Sequence, residues 1–406
     1  MVIPKRLPHA TLFPLLAIVS LVGVICGDAS SAEPFIEKTD LFKPGDTDHK
    51  LYHIPGIVVT AKGTVLAWCE GRKNGGDWDE IDILLRRSID DGKTWSPPTS
   101  IASVEGPIAK NPLSRSNKNT DPTKATYNNP VLIADADGTV HMLFCLEYMR
   151  AFYQRSNDDG VSWSKPTEIT QTFDEFNKSY EWRVLATGPN HSIQLKTGRI
   201  VVPVWLSTGT GGNAHRPSVT ATIYSDDQGQ TWKAGEIAVP CTDTWINPNE
   251  TVAIELTDGS VMLNVRNESK AHRRLVTVSR DGATNWSTPR FDNALLEPIC
   301  MGGIVRYSHD KPCILFCNPH NLAKEGGREE PGKSRDRKNV SVKVSEDEGA
   351  TWTVNKSIEP SWSAYSDIAV TPPKTILCFY GTGEKSSFAG TKLTLARFNL
   401  EWLRQK

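Results

Sequence analysis

The sequence SIDDGKTW at residues 88–95 decides the fold of this chain, because near copies of it recur along the sequence. Clean copies lie at residues 156–163, 225–232 and 345–352, and a degenerate copy lies at residues 279–286. Successive copies begin between 54 and 69 residues apart. Recurrence at such a step indicates an array of similar supersecondary units.

The repeated stretch, called the Asp box below, has the composition of a hairpin turn. In the first copy, Asp90 is suited to accept hydrogen bonds from backbone N–H groups just ahead of it. Gly92 supplies a backbone conformation with positive φ, Thr94 ties the turn back, and Trp95 places its ring against the strands. Each box follows a strand-like run, so it is predicted to close the outer hairpin of one sheet. We interpret these Asp residues as turn-forming and not as catalysts.

Other hairpins precede the boxes at regular positions. Strand-like runs are joined by Lys62-Gly63, Asp137-Gly138, Thr197-Gly198 and Asp258-Gly259, and such turns are typical of hairpins. A hairpin followed by a box-closed hairpin makes a four-stranded sheet of about 65 residues, the size of a propeller blade.

Five boxes, plus an unboxed stretch built from the two ends of the chain, predict an all-β, six-bladed propeller over residues 51–406. The final strand, residues 393–399, is expected to pair beside the first, near residues 51–60, and to close the ring.

The N-terminal residues 1–32 have the pattern of a secretory signal peptide. Lys5 and Arg6 precede the apolar run from Leu12 to Val24, and a small-residue cleavage site ends at Ala32. Residues 33–50 are predicted to form a linker. The mature chain is therefore predicted to be secreted or periplasmic, without a transmembrane span.

Charge and cysteine content give no indication of a nucleic-acid or membrane partner, a metal site or a disulfide framework. The chain has 46 Lys and Arg against 47 Asp and Glu, so nothing favours nucleic acid or an anionic membrane. Seven cysteines follow the leader, and no Cys/His cluster has the spacing of a zinc site. We predict no metal, no cofactor and no disulfide framework.

Candidate functional residues stand at the ends of predicted strands, where a propeller exposes side chains at one mouth of its channel. Asp77 lies on a loop between two strands, and Glu250 opens an inner strand whose partner ends at Arg266. Arg337 precedes the strand at Val340 by three residues, and Tyr365 comes just before the strand 368–370.

Two long polar stretches, residues 108–129 and 320–339, are predicted to form function-bearing rims. His141, His191 and His320 are interpreted as rim or packing residues rather than catalysts.

The sequence resembles the sialidase (neuraminidase) superfamily, in particular the bacterial exo-α-sialidases among retaining glycoside hydrolases. The matching segments are residues 54–58 (IPGIV), 69–72 (CEGR), 249–250 (NE), 263–266 (LNVR), 364–367 (AYSD) and 396–403 (ARFNLEWL). The five candidate residues also occur in the order that this family has.

The resemblance implies a role for each candidate. Tyr365 would be the nucleophile, and Glu250 the base that takes its proton. A neutral phenol avoids the repulsion, about a few kcal/mol, between a carboxylate nucleophile and the carboxylate of a sialoside. Asp77 would be the acid and then the base, so we expect its carboxyl to be protonated and away from arginine.

The arginines are implied to recognise the substrate. Arg266 and Arg337 would bind its carboxylate through bidentate contacts, and Arg72 matches a further rim arginine. Neighbouring residues could be confused with these assignments. They are Asp79 and Asp82 beside Asp77, and Arg328, Arg335 and Lys338 beside Arg337.

The sequence departs from the family at one ion pair. His53 stands where the family has the first arginine of its triad, and Gly381 stands where it has the glutamate partner, with Glu384 three residues on. His53 offers one hydrogen bond, charged only when protonated, so binding is expected to weaken as pH rises.

Three outcomes stay open: sialoside cleavage with more acid-dependent binding, cleavage of a different acidic or neutral glycoside, or a glycan-binding propeller without activity. A purely structural scaffold fits the boxes but leaves Glu250, Arg266 and Tyr365 unexplained.

Overall fold

The structure, a computed structural model, describes most of the chain. The described residues are 1–4, 32–114, 121–309, 312–383 and 392–405. The chain divides into two units, residues 1–33 and 34–406, and the second holds every strand given below. The predicted signal peptide falls almost wholly outside the described residues, as does Glu384. In the described ranges, no helix has the length and apolarity needed to cross a membrane.

The regular secondary structure of the second unit is almost wholly strands. The first twelve are β1 (Ile36–Phe42), β2 (Leu51–Val59), β3 (Val65–Arg72), β4 (Ile81–Ser88), β5 (Thr99–Ser100), β6 (Tyr127–Ala134), β7 (Val140–Leu146), β8 (Arg150–Ser156), β9 (Thr167–Glu168), β10 (Val184–Thr187), β11 (Asn190–His191) and β12 (Ile193–Gln194). The others are β13 (Ile200–Ser207), β14 (Ser218–Ser225), β15 (Lys233–Val239), β16 (Thr251–Glu255), β17 (Val261–Val265), β18 (Arg273–Ser279), β19 (Arg290–Leu296), β20 (Gly303–Tyr307), β21 (Cys313–Pro319), β22 (Lys338–Ser345), β23 (Val354–Val370), β24 (Ile376–Thr382) and β25 (Lys392–Phe398). A 3₁₀ helix (Thr170–Lys178) and a short helix α1 (Leu400–Arg404) complete the unit.

The strands form sheets in a propeller-like arrangement, and their pairs are antiparallel except for β11, which lies parallel to β6. Two sheets have four strands, β2-β3-β4-β5 and β16-β17-β18-β19. Two have five, β6 to β9 with β11 added, and β10-β13-β14-β15 with β12 added. The last has seven, in the order β1-β25-β24-β23-β22-β21-β20. The predicted all-β class is confirmed, but the described strands form five hydrogen-bonded sheets and not six separate ones.

Closure of the last sheet differs from the prediction. Strand β25 pairs with β24 on one side and with β1 on the other, where Ile36 lies opposite Phe398. It does not pair with β2, so the expected pairing beside residues 51–60 is wrong. Residues 36–42, predicted to lie in a linker, instead form the edge strand of this sheet. Residues 37–40 are all exposed and only Leu41 and Phe42 are buried, so the segment lacks the alternating apolar pattern that would have revealed this role.

The Asp boxes form turns as predicted. In the first copy, Asp90 Oδ1 accepts hydrogen bonds from Lys93 N (3.1 Å) and Thr94 N (2.8 Å), and Asp90 Oδ2 accepts one from Thr94 Oγ1 (2.6 Å). Gly92 has φ +78°. Each box joins the third and fourth strands of one sheet, as between β4 and β5. The boxes therefore lie at the end of each sheet opposite the loops that join second and third strands.

Apolar clusters fill the spaces between neighbouring sheets. Trp68 of β3 and Phe144 of β7 belong to one cluster, and Ala67 of β3 and Leu377 of β24 belong to another. Six such clusters join successive groups of strands around the unit. The cluster that contains Ala67 and Leu377 links the C-terminal strands to the first sheet, so the apolar packing is continuous around the ring.

A buried carboxylate ties the inner strands together. Asp367 on β23 accepts hydrogen bonds from Ile57 N of β2 (3.0 Å) and His191 N of β11 (3.2 Å). His191 Nδ1 lies 2.8 Å from Asp367 Oδ1, and the Asp367 side chain has no exposed surface. Burial would lower the pKa of His191, but Asp367 outweighs it and raises the pKa. This contact links strands that are far apart in sequence.

Replacing Asp367 with Asn is expected to lower the free energy of unfolding by about 1–3 kcal/mol, because it unpairs buried N–H groups. The raised pKa of His191 means that the ion pair stabilises fully below pH 6.5 and that this stabilisation is lost as pH rises through the raised value. Urea unfolding at several pH values measures both effects. The assignment would be contradicted if Asp367→Asn had the free energy of unfolding of the wild type. It would also be contradicted if the variant lost stability above pH 6.5 to the same extent as the wild type.

Candidate active site

The functional side chains lie where inner strands bulge. Strand β2 shifts register between His53 and Gly56, and β23 shifts between Ser363 and Ser366, the segment that carries Tyr365. Ile54, inside the first bulge, has φ +54°, which is unfavourable for a β-branched residue. Bulges re-aim side chains out of the plane of a sheet, so these two direct His53 and Tyr365 toward one another.

Tyr365, Glu250 and Arg266 form a hydrogen-bonded cluster. Tyr365 Oη donates to Glu250 Oε1 at 2.7 Å, and Arg266 Nη1 donates to Tyr365 Oη at 2.9 Å and also to Glu250 Oε2. Glu250 and Arg266 face each other because their backbones pair just beyond β16 and β17, with Arg266 N 3.0 Å from Glu250 O. The carboxylate therefore lies within hydrogen-bonding reach of the phenol proton.

Three groups surround the Tyr365 ring. The Arg337 guanidinium carbon lies 5.1 Å from the ring centroid, that of Arg266 lies at 5.8 Å, and the His53 ring centroid lies at 4.5 Å. Ser363 N donates to Arg337 O at 3.0 Å, which ties Arg337 to the strand that carries Tyr365. Burial raises the pKa of Tyr365 well above its ordinary value despite the two arginines, so the phenol is neutral.

Asp77 lies on the loop between β3 and β4 and contacts an arginine. Arg72 Nη1 donates to Asp77 Oδ1 at 2.7 Å, while the Asp77 side chain keeps 48% of its surface exposed. Desolvation would raise the pKa of Asp77, but the Arg72 guanidinium outweighs it and holds the pKa at about 2. The expectation of a protonated carboxyl away from arginine is wrong: Asp77 is an ion-paired carboxylate.

His53 is buried, and it is uncharged. Burial and then the positive charges of Arg72 and Arg337 lower the pKa of His53 well below 6.5. The expectation that His53 changes charge near its ordinary pKa is therefore wrong. Gly381 is buried on β24 opposite Leu393, so no side chain stands at the position of the family's glutamate partner.

One cavity brings together all the site residues predicted from the sequence. It has a volume of about 190 Å³ and is lined by His53, Arg72, Asp77, Glu250, Arg266, Arg337 and Tyr365, among others. None of His141, His191 and His320 lines it. In the described part of the chain, no group of three or more His, Cys, Asp or Glu side chains is placed to hold a metal ion.

Sequence reasoning missed the aromatic wall of this site cavity. The His215 ring centroid lies 4.9 Å from that of Tyr148, 5.3 Å from Trp205 and 5.6 Å from Trp78. A signal was present: His215 and Tyr148 lie on loops that join the second and third strands of a sheet, as Asp77 does. Such loops supply the cavity with side chains from several sheets.

Comparison with known proteins agrees with the resemblance found in the sequence. A family model described as a BNR repeat-like domain matches residues 115–376. The chain belongs to this BNR (Asp-box) family, which includes the sialidases.

Individual relatives agree with this family. A sialidase of Micromonospora viridifaciens is 26% identical over 442 residues, covering 98% of this chain and 61% of its own length, and a sialidase of Bacteroides fragilis is 28% identical, covering 83% and 61%. The chain thus spans about three fifths of each relative. Among solved structures, the Hadza microbial sialidase Hz136 matches with a TM-score of 0.71 and 23% identity, covering 90% of this chain and 69% of that one. This structural likeness shows the fold.

Proposed function

We propose that this protein is a retaining exo-sialidase that hydrolyses terminal sialic acid, or a related acidic sugar, from glycoconjugates. The observation that carries the proposal is the hydrogen bond of 2.7 Å from Tyr365 Oη to Glu250 Oε1 in a cavity that also contains Asp77. A phenol paired with a carboxylate is an activated nucleophile, and sialidases use tyrosine in place of the second carboxylate.

In the first step, Tyr365 Oη attacks the anomeric carbon while its proton passes to Glu250. The glycosidic bond breaks, and the leaving oxygen takes a proton from Asp77 or from water. The sugar is then bound to Tyr365 through its anomeric carbon. Water then attacks that carbon and gives a proton to the Asp77 carboxylate, the bond from the carbon to Tyr365 Oη breaks, and the phenol recovers its proton from Glu250.

The substrate carboxylate is proposed to lie against Arg266 and Arg337, which flank the Tyr365 ring. A neutral His53 donates at most one hydrogen bond there. Losing a charged contact costs about 1–3 kcal/mol, so binding of a sialoside is expected to be weaker than it would be with arginine at this position.

The ionised state of Asp77 favours substrates with good leaving groups. A carboxyl whose pKa is about 2 carries little proton at neutral pH, so protonation of a sugar leaving group limits the rate. The same carboxylate is ionised at neutral pH and is therefore available, as a weak base, to accept a proton in the water step. The rate with a poor leaving group is therefore expected to rise as the pH falls.

Replacing His53 with Gln is expected to leave the shape of the pH profile between pH 6 and pH 8 unchanged, because burial and the nearby arginines lower the pKa of His53 well below its ordinary value of 6.5. The measurement is kcat/KM for a nitrophenyl sialoside in both proteins. A decline near pH 6 in the wild type that His53→Gln abolishes would contradict the assignment.

Two other features belong to the proposal, the number of blades and the export of the chain. The seven-stranded sheet is taken as two blades that share β23, so the propeller has six blades. Support comes from β23 pairing with β22 up to Trp362 and with β24 from Ser363 onward, and from the six interleaved apolar clusters.

Export of the mature chain to the outside or the periplasm is supported by the sequence of residues 1–32.

A second candidate function is cleavage of a different glycoside by the same machinery. A buried, uncharged His53 and the absence of a side chain at Gly381 favour it, because both alter recognition and leave Tyr365 and Glu250 intact.

The test is a hydrolysis screen of nitrophenyl sialosides and neutral nitrophenyl glycosides from pH 4 to pH 8, with Tyr365→Phe as the control. Turnover of the sialoside alone supports the first candidate. Turnover of another glycoside alone supports the second. Binding of a sialylated glycan without turnover of any substrate would identify a glycan-binding propeller and overturn both.

A further inference from the structure

A second carboxylate lies behind Arg72, outside the site cavity. Glu70 Oε2 accepts hydrogen bonds from Arg72 Nε (2.9 Å) and Nη2 (2.6 Å), and Glu70 Oε1 accepts one from Asn129 N (2.8 Å). The remaining nitrogen, Arg72 Nη1, donates to Asp77. The side chains of Glu70 and Arg72 are 0% and 1% exposed. One buried cation is thus shared by two carboxylates, of which only Asp77 reaches the cavity.

Stability alone does not explain this arrangement. Replacing a buried ion pair with apolar residues is often neutral or stabilising, so its presence is weak evidence of a stabilising role. Glu70 also anchors Arg72 to the next sheet, through the backbone of Asn129 at the start of the β6 bulge. Glu70 therefore holds the Arg72 guanidinium on the side away from the cavity and fixes the position of the nitrogen that contacts Asp77.

We propose that Glu70 is a positioning residue that acts through Arg72: it orients the guanidinium and takes up part of its charge, and so controls how readily Asp77 carries a proton. The inference rests on the proposed function, in which Asp77 exchanges a proton with the leaving group and with water.

Other charged groups near Asp77 leave Arg72 as the dominant one. The titratable and charged groups that face the Glu70–Arg72–Asp77 chain from neighbouring elements are His53, Tyr148, His215, Glu250, Arg266 and Arg337. Burial lowers the pKa of His53 and His215 and raises that of Tyr148, so all three are neutral near pH 7. The remaining three are engaged around Tyr365.

Removing the charge of Glu70 shifts the balance in a defined direction. Burial raises the pKa of Glu70, and repulsion between the Glu70 and Asp77 carboxylates adds a smaller increase in the same direction. In Glu70→Gln this repulsion is lost and the Arg72 charge acts on Asp77 alone. Asp77 then holds a proton less readily, by about one pH unit.

The experiment compares two sialosides that differ only in leaving group, nitrophenol and an alkyl alcohol. For Glu70→Gln, kcat/KM with the alkyl sialoside is expected to fall about tenfold at pH 6, with its pH dependence moved about one unit lower. With the nitrophenyl sialoside, kcat/KM is expected to stay within about twofold, because that leaving group departs without a proton.

Two further variants separate this role from a structural one. Asp135→Asn removes another buried carboxylate, paired with His141 at the β6–β7 turn of the neighbouring sheet, and is expected to leave the ratio between the two substrates unchanged. Glu70→Asp keeps the charge but retreats from Arg72, so a smaller shift in the same direction is expected. This variant serves if Glu70→Gln does not fold.

Equal losses with both substrates, or no change with either, would overturn the inference. If the wild type turns over neither sialoside, the proposed function fails and the inference falls with it. If the wild type is active and the substrate ratio does not move in the Glu70 variants, only the inference fails.

Discussion

Replacing Tyr365 with Phe is expected to lower kcat for a nitrophenyl sialoside by at least about 10³-fold, because the substitution removes the oxygen that attacks the sugar. The ring, its burial and its contacts with His53 and Arg337 are retained, so substrate binding is expected to change little. The measurement is steady-state kcat and KM, together with the dissociation constant of a sialic acid analogue.

The chain offers a matched control for this variant. Tyr380 on β24 is also fully buried, and its hydroxyl has no hydrogen-bond partner among the described residues. Tyr380→Phe removes the same atom from a site outside the cavity and is expected to leave kcat unchanged. If both variants lose activity equally, the loss reflects folding rather than chemistry.

Replacing Glu250 with Gln is expected to reduce kcat and kcat/KM together, by about 10²- to 10⁴-fold, because the proton of Tyr365 then lacks an acceptor. The amide keeps the size of the side chain but cannot pair as an ion with Arg266. Freed from this pair, Arg266 is expected to bind a carboxylate inhibitor at least as tightly as in the wild type.

Glu255→Gln is the control, since Glu255 lies at the far end of β16, the strand that Glu250 directly precedes, and accepts hydrogen bonds from Lys196 N. It is expected to behave as the wild type. A Glu250→Gln variant with normal kcat and only a raised KM would assign Glu250 to binding and remove it from the mechanism.

Features encoded by local contacts were predictable from the sequence. Ser88, Asp90 and Gly92 form the turn of the first Asp box within eight residues of chain, so its composition alone reveals it. The hairpin turns between first and second strands are equally local. The repeat of these turns was enough to predict the all-β class and the propeller-like arrangement.

Closure of the ring depended on contacts distant in sequence. Strand β1 pairs with β25, which lies more than 350 residues away in the sequence. The composition of residues 36–42 does not indicate which strand they pair with. The division of the sheets was likewise hidden, because the single strand β23 runs through two sets of pairings without a turn.

The positions of the site residues were predicted better than their charge states. The resemblance to sialidases placed Tyr365, Glu250 and Arg266 together, and the structure has them in hydrogen-bonding contact. The ionisation of Asp77 and His53 depends on burial and on arginines brought from other loops. Those distances are fixed only by the fold, which is why the expected protonated Asp77 and titrating His53 were both wrong.

The most direct test of the account is to identify the atom to which the sugar becomes bound. The reagent is a sialosyl fluoride with a second fluorine at C3. The fluorine at C3 slows both chemical steps, whereas fluoride is a good leaving group at C2. The sugar therefore accumulates on the nucleophile. Mass spectrometry of the digested protein is expected to locate the added sugar on Tyr365. An adduct on Glu250, Asp77 or any other residue would contradict the claim that a phenol attacks the sugar.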